Sequence, residues 1–157
     1  MNALDIQEKL YKAIDGPTEM QEIRRLMNKL KKLDENIVVE GLLSVFFDDS
    51  RGEKKFKDQT MAGGLLIKLM PKYDRNLRED ILRSLDNWNL SVEELPWYLA
   101  EKVGRDEVLR EVESIAESSL SEVARKTLDT YVYWLNPTDT EHFKKVMTKR
   151  WNNSLKG

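Results

Sequence analysis

Cysteine is absent from this chain, which excludes disulfides, thiolate nucleophiles and cysteine-ligated zinc. Histidine is almost as scarce. His142 is the only one in 157 residues, so no site can be built on two histidines. Only 7 Gly and 4 Pro punctuate the sequence. That is too few for a meander of many short strands, whereas helices joined by brief connections need few such residues. No stretch reaches the roughly 20 consecutive apolar residues that a membrane span needs. The first segment is charged and amphipathic (Asp5, Glu8, Lys9, Lys12) and shows no apolar h-region, so the expected location is the cytoplasm. Positive charge is not in excess either: 26 Lys and Arg face 28 Asp and Glu, a net charge of −2. Duplex binding draws on concentrated positive charge, so a nucleic-acid partner would have to rely on a local basic patch.

What is present is globular. Hydrophobic residues make up 40% and charged residues 34%, and the length suits one domain over residues 1–157 with a real core. The dominant pattern is helical. Met20, Ile23, Leu26, Met27, Leu30 and Leu33 recur at three- and four-residue steps among Glu22, Arg24, Arg25, Lys29, Lys31 and Lys32, one apolar stripe on a solvated helix. Leu77, Ile81, Leu85 and Trp88 repeat the pattern, as do Phe143, Met147 and Trp151.

The punctuation agrees. Gly16-Pro17 separates the first two helices, and Thr18 with Gln21 reads as a capping box. Ser91 with Glu94, Thr138 with Glu141 and Ser119 with Glu122 read as further boxes. Nine helices are expected: Ala3 to Asp15, Thr18 to Leu33, Asn36 to Phe47, Glu53 to Met70, Asn76 to Trp88, Val92 to Val103, Asp106 to Glu117, Leu120 to Leu135 and Asp139 to Asn152. Pro96 then falls past the first turn of the sixth helix and predicts a distorted start there. Ile37 to Phe47 and Leu65 to Met70 are apolar almost all round. β-rich by composition, they are read as buried helices because two strands alone would have little to pair with.

A shift of 66 positions places Leu65, Leu66, Ile67, Leu69 and Pro71 on Tyr131, Val132, Tyr133, Leu135 and Pro137. The same shift places Leu77, Ile81 and Leu85 on Phe143, Met147 and Trp151. The spacing is twice a helix pair of about 33 residues, the size of stacked helical repeats. On that rhythm, from Asn36 to Asn152, the chain resembles a short α-solenoid of the HEAT or armadillo type. The resemblance implies an all-α fold of antiparallel helix pairs and a binding surface. The same rhythm also fits an irregular helical bundle.

Most chemistry finds no constellation here. His142 lies beside Glu141, Lys144 and Lys145 and reads as a solvated surface residue. Gly63-Gly64 sits inside an apolar helix with no following GK[ST], so its expected role is to let a neighbouring helix approach closely. In Asp48-Asp49-Ser50-Arg51-Gly52-Glu53, Arg51, Lys54 and Lys55 interrupt the oxygen ligands a calcium loop needs. That stretch reads as a charged connection, open to a partner, with Ser50 and Glu53 able to cap the next helix. Glu93-Glu94 is the most conspicuous pair of adjacent acids, with Glu94 assigned to its cap. The expectation is therefore no catalytic residue, no metal and no cofactor.

The aromatics are the richest candidates. Trp88, Trp97 and Tyr98 form one group, and Tyr131, Tyr133 and Trp134 another. Neighbours such as Trp97–Tyr98 and Tyr133–Trp134 diverge by about 100° on a helix, which leaves room for one of each pair to face outward, while most of the six are expected to pack the core. The candidate partner-binding set is Trp88, Trp97, Tyr98, Tyr133, Trp134, Asp48, Asp49 and Arg51. The expected function is a non-catalytic protein-interaction module (adaptor, scaffold or toxin-neutralising), with a homodimer also compatible. The competing expectation is a HEAT-like nucleic-acid binder or DNA glycosylase using basic runs such as Lys29, Lys31 and Lys32.

Overall fold

The structure is a computed structural model in which residues 1–136 and Lys145 are described. Among them every regular element is helical: α1 (Ala3–Asp15), α2 (Glu19–Leu30), α3 (Glu35–Ser44), α4 (Lys55–Leu69), α5 (Leu77–Ser84), α6 (Glu94–Val103), α7 (Arg105–Ala116) and α8 (Glu122–Trp134). A single 3-10 turn, Gly52–Lys54, leads into α4. The all-α expectation holds, and both apolar segments read as buried helices are helical over most of their length, the first ending at Ser44 with residues 45–47 in a turn and the second at Leu69. The ninth expected helix, the Thr138–Glu141 box and His142 lie outside the described residues.

Local signals explain most boundaries. Asn2 accepts the Asp5 amide and Asp5 accepts the Asn2 amide, a closed capping box at 2.9 Å each way. Asp34, Asn76 and Ser121 cap α3, α5 and α8 through their side chains. The boxes expected at Thr18, Ser91 and Ser119 do not form, and α8 is opened instead by a simple side-chain cap from Ser121. Thr18 makes no side-chain cap, and Ser50 does not cap the turn that follows it. The Ser91 amide instead binds Asn89 Oδ1 at 3.0 Å in a turn. Because α6 starts at Glu94, Pro96 falls in its first turn, where its missing N–H would have had no helical partner. The expected distortion therefore has no cause.

The end of α4 is sharp. Met70 adopts a left-handed conformation (φ 45°) and its amide closes on the Leu66 carbonyl, and Pro71 follows. The carbonyls freed there are used. Tyr98 Oη donates to Pro71 O at 2.6 Å and Lys102 Nζ to Met70 O at 3.2 Å, tying α6 to the end of α4. α8 terminates at Trp134 with Leu135 as its cap, without the left-handed residue that closes α4.

Among the described helices, extensive packing is confined to helices at most three apart in chain order. α1 packs on α2, α3 and α4, α4 on α6, α5 on α7, and α7 and α8 close the described array. A contiguous apolar core runs through it from Ile6 to Leu135. Gly63 does what a close helix crossing requires: a Cβ built there would stand 2.6 Å from the Glu94 Cβ, closer than real side chains come. Glu94 is therefore no capping residue. It is buried against α4.

Candidate functional site

The aromatic candidates divide by burial. Trp88 and Tyr98 belong to the core, and the Trp88 ring lies 4.5 Å from that of Tyr131 with its Nε1 donating to Val92 O. Trp97 is also buried, in a satellite cluster with Ile67 and Met70. Both Trp97 and Tyr98 are thus interior, as the core-packing reading of these aromatics has it, and neither of this pair faces outward: Trp97 packs on Ile67 and Met70 while Tyr98 reaches Pro71 O. The other pair behaves as expected. Tyr133 is 69% exposed, while Trp134 is half-buried and donates Nε1 to Leu90 O.

The charged candidates form a clasp. Arg51 binds Asp58 through Nε and Nη2 at 2.8 and 3.0 Å, and Asp15 through Nη1 and Nη2, both at 2.9 Å. Its guanidinium lies 4.2 Å from the centre of the Tyr11 ring, and Tyr11 Oη donates to Asp48 at 2.8 Å. Two planar carboxylates thus occupy the fork of Arg51. Hydrogen bonds from Arg51 hold the Asp15 carboxyl down at about 2. Burial, followed by the bond to Asp48, raises the Tyr11 phenol well above its usual value. Burial also pushes Asp48 up, but the Ser50 amide and the Tyr11 hydroxyl outweigh it and hold the carboxyl low. Asp48 and Arg51 therefore tie α1 to the start of α4, and only Asp49 faces solvent.

A parallel arrangement holds the next connection. Buried Asp80 accepts Tyr73 Oη at 2.7 Å and Arg75 Nε and Nη2 at 2.8 and 2.9 Å. Fully buried Gln59 donates to Asn87 O and accepts the Asn89 amide, stapling the turn between α5 and α6. Among the described residues no three acids or imidazoles gather at metal-binding range.

The open site lies elsewhere. Since only Gly16-Pro17-Thr18 joins α1 to α2, the second helix turns straight back along the first. The groove between them has a volume of about 480 Å³. Its floor is Ala13 and Leu26, its closed end Gly16 and Pro17, and its walls carry Lys9 and Lys12 from α1 and Arg25 and Lys29 from α2. Glu22 is the acid in the lining, and it is taken by Arg25 at 2.6 Å. Among the described residues Lys9, Lys12 and Lys29 meet no carboxylate, and all three are exposed. α2 packs chiefly on α1, which leaves this side open.

Sequence reading passed over this site. Lys9 and Lys12 stand three apart, Arg25 and Lys29 four apart, and each pair by itself looks like an ordinary solvated face. The hint lay in the Gly16-Pro17 turn, which folds the two faces together. Two lysines of another basic run are spoken for: Lys54 pairs with Asp15 at 3.3 Å and Lys57 with Glu19 at 2.7 Å.

Compared with protein-family models, curated proteins and solved structures, the chain finds no match. The described residues define an all-α chain, and none of their helices is long and apolar enough to cross a membrane.

Proposed function

We propose that this chain is a non-catalytic protein-interaction module built on a short helical array of the HEAT-like kind. The observation that carries the reading is the α1–α2 groove, where three lysines that meet no carboxylate among the described residues surround an apolar floor. Exposed cations that meet no carboxylate among the described residues are ready to pair with groups on another molecule. The packing of helices on near neighbours in the chain supports the array reading, since stacked helix pairs leave grooves of this sort along their surface.

The interior supports a binding role over a catalytic one. Arg51, Asp58, Arg75, Asp80 and Tyr73 are each committed to a structural pair. A general acid or base needs instead to face a substrate-sized space. The test is affinity purification on the immobilised chain from nuclease-treated lysate, followed by hydrogen-exchange mapping of the complex. A stoichiometric protein that protects the surface of the array is expected. Recovery of nucleic acid alone, lost as salt rises, would overturn the reading in favour of phosphate-backbone binding.

A further inference from the structure

The α1–α2 groove has a shape and a charge pattern that together specify what fits it. Its lining runs from Lys9 to Gly16 along α1 and from Thr18 to Lys29 along α2. At 1.5 Å per residue these walls are about 10 and 16 Å long, enough for two to three turns of a docked helix. Cations stand on both walls rather than on one, while Glu22 is neutralised by Arg25. Between the charges lie Pro17 and the aliphatic stems of the lysines, above Ala13 and Leu26, a strip that can cover an apolar ridge.

We propose that this groove docks an acidic amphipathic helix of a partner protein, with an apolar ridge along the lysine stems and carboxylates on both flanks meeting Lys9, Lys12 and Lys29. The proposal rests on the protein-module reading and names the partner's chemistry. Charge complementarity favours such a helix over a polyanion. Three lysines and one paired arginine could neutralise only a few phosphates, and the chain as a whole is negative. A helix with two acidic flanks instead presents carboxylates to both walls at once, the helix-in-groove mode of recognition.

The test uses the full chain against a phage-displayed library of random peptides about 14 residues long, which spans three helical turns with ends to spare. Recovered peptides are labelled and their affinities measured by fluorescence anisotropy for the parent, for K12E/K29E and for K72E/K126E. Lys72 and Lys126 are exposed residues away from the groove, so the last variant controls for net charge. Expected are peptides with Asp and Glu at helical spacing about an apolar stripe. Their affinity should drop at least about tenfold in K12E/K29E, less at high salt, and stay within about twofold in K72E/K126E. Peptides that bind both variants as tightly as the parent would overturn the groove assignment while leaving the module reading in place. Recovery of no binder would count against both. Two further outcomes would replace the acidic helix as occupant: tighter binding of a labelled DNA duplex that K12E/K29E abolishes, or self-association of the chain abolished by the same variant.

Discussion

Replacing Arg51 by alanine tests whether the clasp between α1 and α4 is structural. The side chain of Asp58 is 1% exposed and receives two bonds from Arg51, at 2.8 and 3.0 Å. Truncation leaves that carboxylate without either bond in a nearly water-free position. Removing one partner of a buried pair costs about 3–5 kcal/mol. Arg51 itself is 15% exposed, so water reaches part of the vacated space and the loss should lie at the lower end, about 3 kcal/mol. The Asp15 arm lies at the surface and adds little. Urea unfolding followed by circular dichroism and tryptophan fluorescence measures the change. K54A serves as the control, because Lys54 is 58% exposed in its pair with Asp15 and its loss should stay within about 0.5 kcal/mol. The double variant R51M/D58L removes both charges and should recover most of the loss. If R51A costs less than about 1 kcal/mol, Asp58 is not a desolvated carboxylate held by Arg51, and the structural account of this loop fails.

Three further outcomes are expected. G63A gains roughly 1 kcal/mol in helix propensity but forces a Cβ to within 2.6 Å of Glu94 Cβ, an overpacking cost of about 1–3 kcal/mol. A double-mutant cycle with E94G should show positive coupling in unfolding experiments, and additive effects would refute the close crossing. The folded Asp15 carboxyl titrates at about 2 against an ordinary 3.8, so the folded state holds fewer protons than the unfolded one between those values. Stability is therefore full above about pH 4 and falls as pH is lowered toward 2, a slope that R51M should flatten in acid-titrated urea melts. W97A should cost about 3–5 kcal/mol as a core truncation, whereas Y133A at a 69% exposed position should stay within about 0.5 kcal/mol. Equal effects would show that the burial assigned to these two rings is wrong.

Helical type was legible in the sequence because it depends on short-range regularities. The three- and four-residue spacing of Ile23, Leu26 and Leu30 buries one face whatever lies opposite, and α1 begins and ends where its pattern does. The sparse glycines and prolines likewise marked true breaks, at Gly16-Pro17 and at Met70-Pro71. Capping was less legible. Ser91 with Glu94 satisfies a box by spacing, but Glu94 is buried opposite Gly63 and the Ser91 amide goes to Asn89 instead.

Only the tertiary structure decided which of the conspicuous residues were free. Trp97 and Tyr98 point in different directions, yet α6 is covered on more than one side, so both are buried. The Asp48–Glu53 loop looked like exposed charge, and its cation is instead saturated by Asp58 and Asp15, carboxylates that lie seven residues ahead and 36 back. Lys9, Lys12 and Lys29 looked unremarkable and became a site because a tight turn faces two helices across one groove. Periodicity along a chain says which face of a helix is apolar. Which polar groups find partners depends on distances between segments remote in sequence, and those exist only once the helices have packed.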